Sequence, residues 1–123
     1  MPVIAASTES TIRLADAEFT PLAAPSRGAT RNAVWRVRVT GGEPGAEHTL
    51  DAEEVLVALS GAAVATLDGV AHPVRGGDTI VVPPGVPFSL RCDGDPFEAL
   101  AVLPVGGRAC MTGGEPFVPP WAQ

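Results

Sequence analysis

Pro44-Gly45-Ala46-Glu47-His48-Thr49-Leu50-Asp51-Ala52-Glu53-Glu54, closed seven residues later by Gly61, is the first of two stretches that frame the middle of this chain. The second is Gly77-Asp78-Thr79-Ile80-Val81-Val82-Pro83-Pro84-Gly85-Val86-Pro87-Phe88. In the second, a β-branched, apolar run stops at Pro83-Pro84-Gly85, and glycine and proline punctuate both stretches, as in strands joined by tight turns. The same reading extends outward. Ala33 to Val39 alternates, with Trp35, Val37 and Val39 on one face and Arg36 and Arg38 on the other. Val55 to Leu59 is a near-continuous apolar run, which predicts a strand buried on both faces. Val64 to Leu67 leads into Asp68-Gly69, a two-residue hairpin signal, and Val70 to Val74 returns from it. Phe88 to Cys92 alternates, Asp93-Gly94-Asp95-Pro96 turns the chain, and Phe97 to Val105 is a final strong strand.

One domain is expected over residues 1–123. Residues 1–32 are N-terminal strands with apolar Ile12, Leu14 and Phe19, then a loop-like Pro21 to Gly28; residues 33–105 are the barrel core; residues 106–123 are an extended tail. The 14 glycines and 13 prolines are spread along the whole chain, which suits many short strands and leaves room for helix only as a short turn. A net charge of −6 speaks against nucleic acid, whose phosphates require clustered basic side chains. No apolar run is long enough to span a bilayer, and the N-terminus lacks the basic start and apolar stretch of a signal peptide. These features predict a cytoplasmic protein. All 8 basic residues are arginine, which with abundant Ala, Gly and Pro suggests a GC-rich bacterial source. Cys92 and Cys110 are expected to be reduced in that compartment.

The two framing stretches together resemble the paired motifs of the cupin superfamily, most closely its small single-domain bacterial members. The resemblance is firm over residues 44–92 and looser over 33–105. It implies an all-β fold, a jelly-roll or double-stranded β-helix barrel open at one end, often assembled as a homodimer. It also implies a metal held by three histidines and one glutamate. His48 and Glu54 stand at two of those positions, but Leu50 stands where the second histidine belongs and Phe88 where the third belongs. Strand parity points 48 and 50 to one side, and the chain curls through Asp51-Ala52-Glu53 to bring Glu54 back to it. A complete site would suit Fe, Mn, Ni or Zn. With two ligands and an apolar wall, a divalent transition metal would be held weakly, so no cofactor is expected with assurance.

His48 and Glu54 are the candidate catalytic residues, as a general base and acid on the floor of an apolar pocket; the bland alternative is two polar groups bonded to each other and doing no chemistry. Leu50, Leu56, Ala58, Phe88, Leu90 and Cys92 are the candidate pocket lining, with Cys92 read in preference as a small buried hydrophobe. Arg36 and Arg38 are read as solvent-facing or subunit-facing in preference to anion partners. His72 is read as a surface residue on a link away from the pocket, Asp51 and Glu53 as solvated, and Asp78 as a turn former. Phe117 and Trp121 are expected to fold back over the barrel or a neighbouring subunit. Three functions stand. One is a small-molecule-binding protein with an incomplete metal site, with or without turnover by His48 and Glu54. The others are a metal-dependent isomerase, cyclase, lyase or dioxygenase with atypical ligands, and a non-catalytic regulatory or interaction module.

Overall fold

Alternation along the central strands decides which side chains are hidden, and the computed structural model, which describes residues 2–123, shows it directly. The strands are β1 (Ile12–Leu14), β2 (Ala17–Ala23), β3 (Asn32–Val39), β4 (His48–Leu50), β5 (Glu54–Ser60) and β6 (Ala62–Leu67), then β7 (Val70–Arg75), β8 (Thr79–Val82), β9 (Phe88–Cys92), β10 (Phe97–Pro104) and β11 (Ala109–Met111). The only helical pieces among the described residues are single 3-10 turns at Pro25–Arg27 and Pro120–Ala122. None of the described residues forms a helix long and apolar enough to cross a membrane. Two antiparallel sheets form, in the orders β1-β2-β3-β10-β5-β8 and β11-β4-β9-β6-β7, and they pack as the expected jelly roll.

The inner faces supply one continuous core. Trp35, Val37 and Val39 of β3 meet Phe97, Ala99, Ala101 and Leu103 of β10, Leu56 and Ala58 of β5, and Ala63 and Ala65 of β6. The small alanines of β6 and β10 leave volume for Trp35, Phe88 and Phe97, the mixing of large and small side chains that fills a tapering barrel. Arg36 is exposed and Arg38 half-buried on the outer side, where Arg38 pairs with Glu98 at 3.6 Å. Asp68 and Gly69 have φ of 49° and 78°, the left-handed pair that the β6–β7 hairpin turn requires.

Three local expectations change. The Val55 to Leu59 run is buried on one face only: Val57 is 38% and Leu59 43% exposed, because none of the described residues covers the outside of β5 there. Pro21 to Ala23 belongs to β2 and is not a loop; a register shift after Pro21 accommodates a residue that has no N–H to donate. Asp51 is not merely solvated. Its carboxylate accepts the Arg108 backbone N–H at 2.6 Å and Nε at 2.8 Å, and its own N–H donates to the Arg108 carbonyl at 3.0 Å. The backbone N–H and guanidinium of Arg108 hold the Asp51 carboxyl below its usual range, and the contact ties the end of β4 to the approach of β11.

The tail is only partly extended. Cys110 pairs with Thr49 through β11, and Phe117 exchanges two backbone hydrogen bonds with Ala109 at 2.8 and 2.9 Å, covering the free edge of β11. The chain then crosses to the other sheet, where Trp121 stacks on Phe19 with ring centroids 3.7 Å apart and approaches Trp35 at 6.4 Å. The tail therefore staples β11 of one sheet to β2 and β3 of the other. Trp121→Ala is expected to lower stability by about 2 kcal/mol, less than a fully buried tryptophan because Trp121 is half-buried. Urea denaturation checks this, and an unchanged midpoint would show the staple to be idle.

Candidate functional site

The two framing stretches meet where β4 pairs with β9. His48 lies opposite Phe88 in the β4–β9 register, and their rings meet edge-on with centroids 5.7 Å apart. Phe88 also opposes Leu67 of β6, and Glu54 opposes Val82 of β8. Leu50, Leu56, Ala58, Phe88 and Cys92 are all buried in the core, and half-buried Leu90 packs against it. Together they make one apolar wall of the barrel interior. Cys92 donates its thiol to the Thr40 carbonyl at 3.3 Å, as a structural residue would.

His48 is half-buried, and its Nδ1 lies 3.0 Å from the Ala46 carbonyl. A carbonyl only accepts, so Nδ1 donates in this bond, and in the neutral imidazole Nε2 is the acceptor. The imidazole borders a crevice of about 280 Å³ shared with Glu47, Pro87, Cys110 and Met111.

Glu54 is the unusual group. It is 6% exposed, and no donor among the described residues reaches its carboxyl oxygens. Burial alone pushes its pKa up to about 7, since the charged form loses its water and gains no compensating bond. No hydrogen bond or ion pair joins it to His48, so the direct pairing that their spacing allowed does not form; His48 Nδ1 bonds the turn at Ala46 instead. Nor do three His, Cys, Asp or Glu side chains converge as a metal site anywhere among the described residues.

A second concavity lies elsewhere, where sequence reasoning did not place it. β7 ends one sheet and β8 ends the other, and the gap between them opens a cleft of about 630 Å³. Leu67, Val74 and Ile80 line it, with Val86 at one end and His72 and Asp78 bringing polar groups. His72 is exposed, as expected, but it borders this cleft instead of lying away from any pocket. The available signal was the Pro73 that marks β7 as an edge strand, which predicts an unpaired flank beside His72. Asp78 keeps its expected turn role through the Arg75 N–H, 2.9 Å from Oδ2.

Comparison with known proteins places this architecture. Salicylate 1,2-dioxygenase from Pseudoaminobacter salicylatoxidans, solved with gentisate adducts, superposes with a TM-score of 0.71 at 19% identity over 81% of this chain. The present chain spans only 30% of that protein. The polyketide cyclase RemF from Streptomyces resistomycificus superposes with a TM-score of 0.68 at 21% identity, over 82% of this chain and 73% of the cyclase. At such identities the likeness is one of fold. No curated protein matches the sequence. The profile of the cupin domain family matches residues 35–103, more than half the chain and both framing stretches, and the protein belongs to the cupin family.

Proposed function

We propose that this cupin binds a small, largely apolar molecule in its interior, with Glu54 as the group that exchanges a proton with it. One observation carries this reading: a carboxyl group held in the core without a partner, poised by burial to be partly protonated near neutral pH. The carboxyl is not fully enclosed, since Trp121 Nε1 alone among the described residues is a sealed side-chain polar atom without a partner, so a small molecule can reach Glu54. The apolar wall of Leu50, Leu56 and Phe88 favours a ligand with little charge. His48, with Nε2 free to accept, is the candidate second polar group.

The metal usual in the family does not fit this donor set. Leu50 and Phe88 offer no lone pairs, so at most two donors, His48 and Glu54, remain where zinc sites typically keep at least three protein ligands. The reading is therefore of an incomplete metal site, and no step is assigned to a metal. The variant Leu50→His with Phe88→His is expected to raise cobalt affinity at least tenfold over the parent, detected by visible absorption. A folded double variant that binds no better would show that the four positions do not surround one point.

Neutral aromatics are the first ligands to test, with salicylate and gentisate, named with the similar dioxygenase, as anionic comparisons. Carbon-13 NMR of the glutamate carboxyls during each titration tests the proposal. A ligand engaging Glu54 should shift its titration midpoint, and Glu54→Gln should abolish the effect. A panel in which bound ligands leave that midpoint unmoved would overturn the reading. So would near-stoichiometric transition metal in protein purified without added metal.

A further inference from the structure

The cleft between β7 and β8 has a built chemistry of its own. Its floor is the inner face of the jelly roll: Ala65, Val74 and Ile80 are buried core residues, and Leu67 packs against that core. The opening exists because the two sheets end here in unpartnered strands, whereas the opposite side is closed by the Trp121 staple. At about 630 Å³ the space lies within the range that takes a small molecule, roughly 300–1,000 Å³.

The polar groups of this cleft have one sign. Among the described residues, Asp78 is the only charged side chain bordering it apart from the titratable His72, and no arginine lines it. One Asp78 oxygen, Oδ2, accepts the Arg75 backbone N–H, and no guanidinium pairs with the carboxylate. Asp78 thus presents a second oxygen with no bonded donor at the edge of an apolar surface. A carboxylate ligand would meet repulsion there, and a purely apolar ligand would make no use of the charge of exposed Asp78. A cationic donor attached to a hydrocarbon or aromatic body answers both features, and the net charge of −6 favours its approach.

We propose that this cleft is a binding site for a small apolar amine, its ammonium on Asp78 and its body against Leu67, Val74, Ile80 and Val86. His72 stands beside the site, where its imidazole can accept a further hydrogen from the ammonium. The site is distinct from Glu54, which does not border the cleft, and it stands whether or not the interior reading holds.

Three probes with one body and different heads test it: phenethylamine, 2-phenylethanol and phenylacetate, each titrated into nitrogen-15-labelled protein. Phenethylamine is expected to shift the amides of Leu67, His72, Val74 and Thr79 saturably, the alcohol more weakly, and the acid not at all. Asp78→Asn keeps an oxygen for the Arg75 turn bond and should weaken the amine about tenfold while leaving the alcohol unchanged. Leu67→Trp should fill the cleft and abolish both. Thermal unfolding of each variant shows whether it remains folded, and the three probes on the parent protein stand without either variant. The proposal is overturned if no probe gives saturable shifts, if the acid binds as well as the amine, if the shifts map outside the cleft, or if folded Asp78→Asn binds the amine unchanged.

Discussion

Glu54→Gln is expected to make the protein more stable at pH 8 and to leave it unchanged at pH 4. The sign follows from where the proton sits. An unfolded glutamate ionises near 4.5, whereas buried Glu54 holds its proton to about pH 7. Between those values the folded state binds more protons than the unfolded one, so stability falls as pH rises through that window. Below 4.5 both states are protonated and the penalty vanishes; above 7 it is fully developed. The separation corresponds to roughly 3 kcal/mol, the largest electrostatic effect expected in the chain. Glutamine cannot ionise, so its curve should be flat across the window apart from the other titrating groups. Paired urea denaturations from pH 4 to pH 9 measure the difference. A parent protein that gains on the variant as pH rises would mean that a donor, absent from the described contacts, bonds the carboxylate. The variant also bears on function, because it preserves shape while removing the exchangeable proton.

The second large effect is expected at Gly61, where alanine should cost about 3–4 kcal/mol, combining backbone strain with overpacking. Gly61 links β5 to β6 with φ of 77°, a left-handed conformation that a side chain resists. Sterics add to this. A Cβ there would overlap the Pro96 carbonyl oxygen and crowd the Pro96 carbonyl carbon at 2.8 Å and Phe97 Cα at 3.0 Å. Relief requires moving the start of β10, and Phe97 is among the most completely buried side chains in the core. Gly69 provides the control. Its φ of 78° is similar, yet a Cβ there would meet nothing within 4 Å, so Gly69→Ala should cost only about 1 kcal/mol from strain. Equal losses at the two positions would show that the contact with Pro96 carries no weight.

Gly61 also illustrates what could be read early. It closes the first framing stretch, and the strand turns it belongs to depend on residues only a few positions apart. The same holds for the Asp68-Gly69 hairpin and for the alternation that hides Trp35, Val37 and Val39. Local spacing likewise put His48, Leu50, Glu54 and Phe88 on inward faces, and the register of β4 against β9 brings His48 to Phe88.

What neighbours those faces would meet was not written in any short window. Val57 and Leu59 look as core-like as Leu56, yet they are exposed, because burial depends on what packs outside the sheet. Asp51 reads as a solvated bend until Arg108 arrives from a distant segment, and Trp121 acquires Phe19 only when the tail crosses between sheets. His72 borders a cleft because β7 and β8 end different sheets, a property of strand order. The sequence by itself determined the strands, their faces and the family, since backbone dihedrals and side-chain parity act over a few residues. Only the tertiary structure decided that Glu54 is left without a bond and that one seam closes while the other stays open. Those outcomes depend on which distant side chains come within hydrogen-bonding or van der Waals reach.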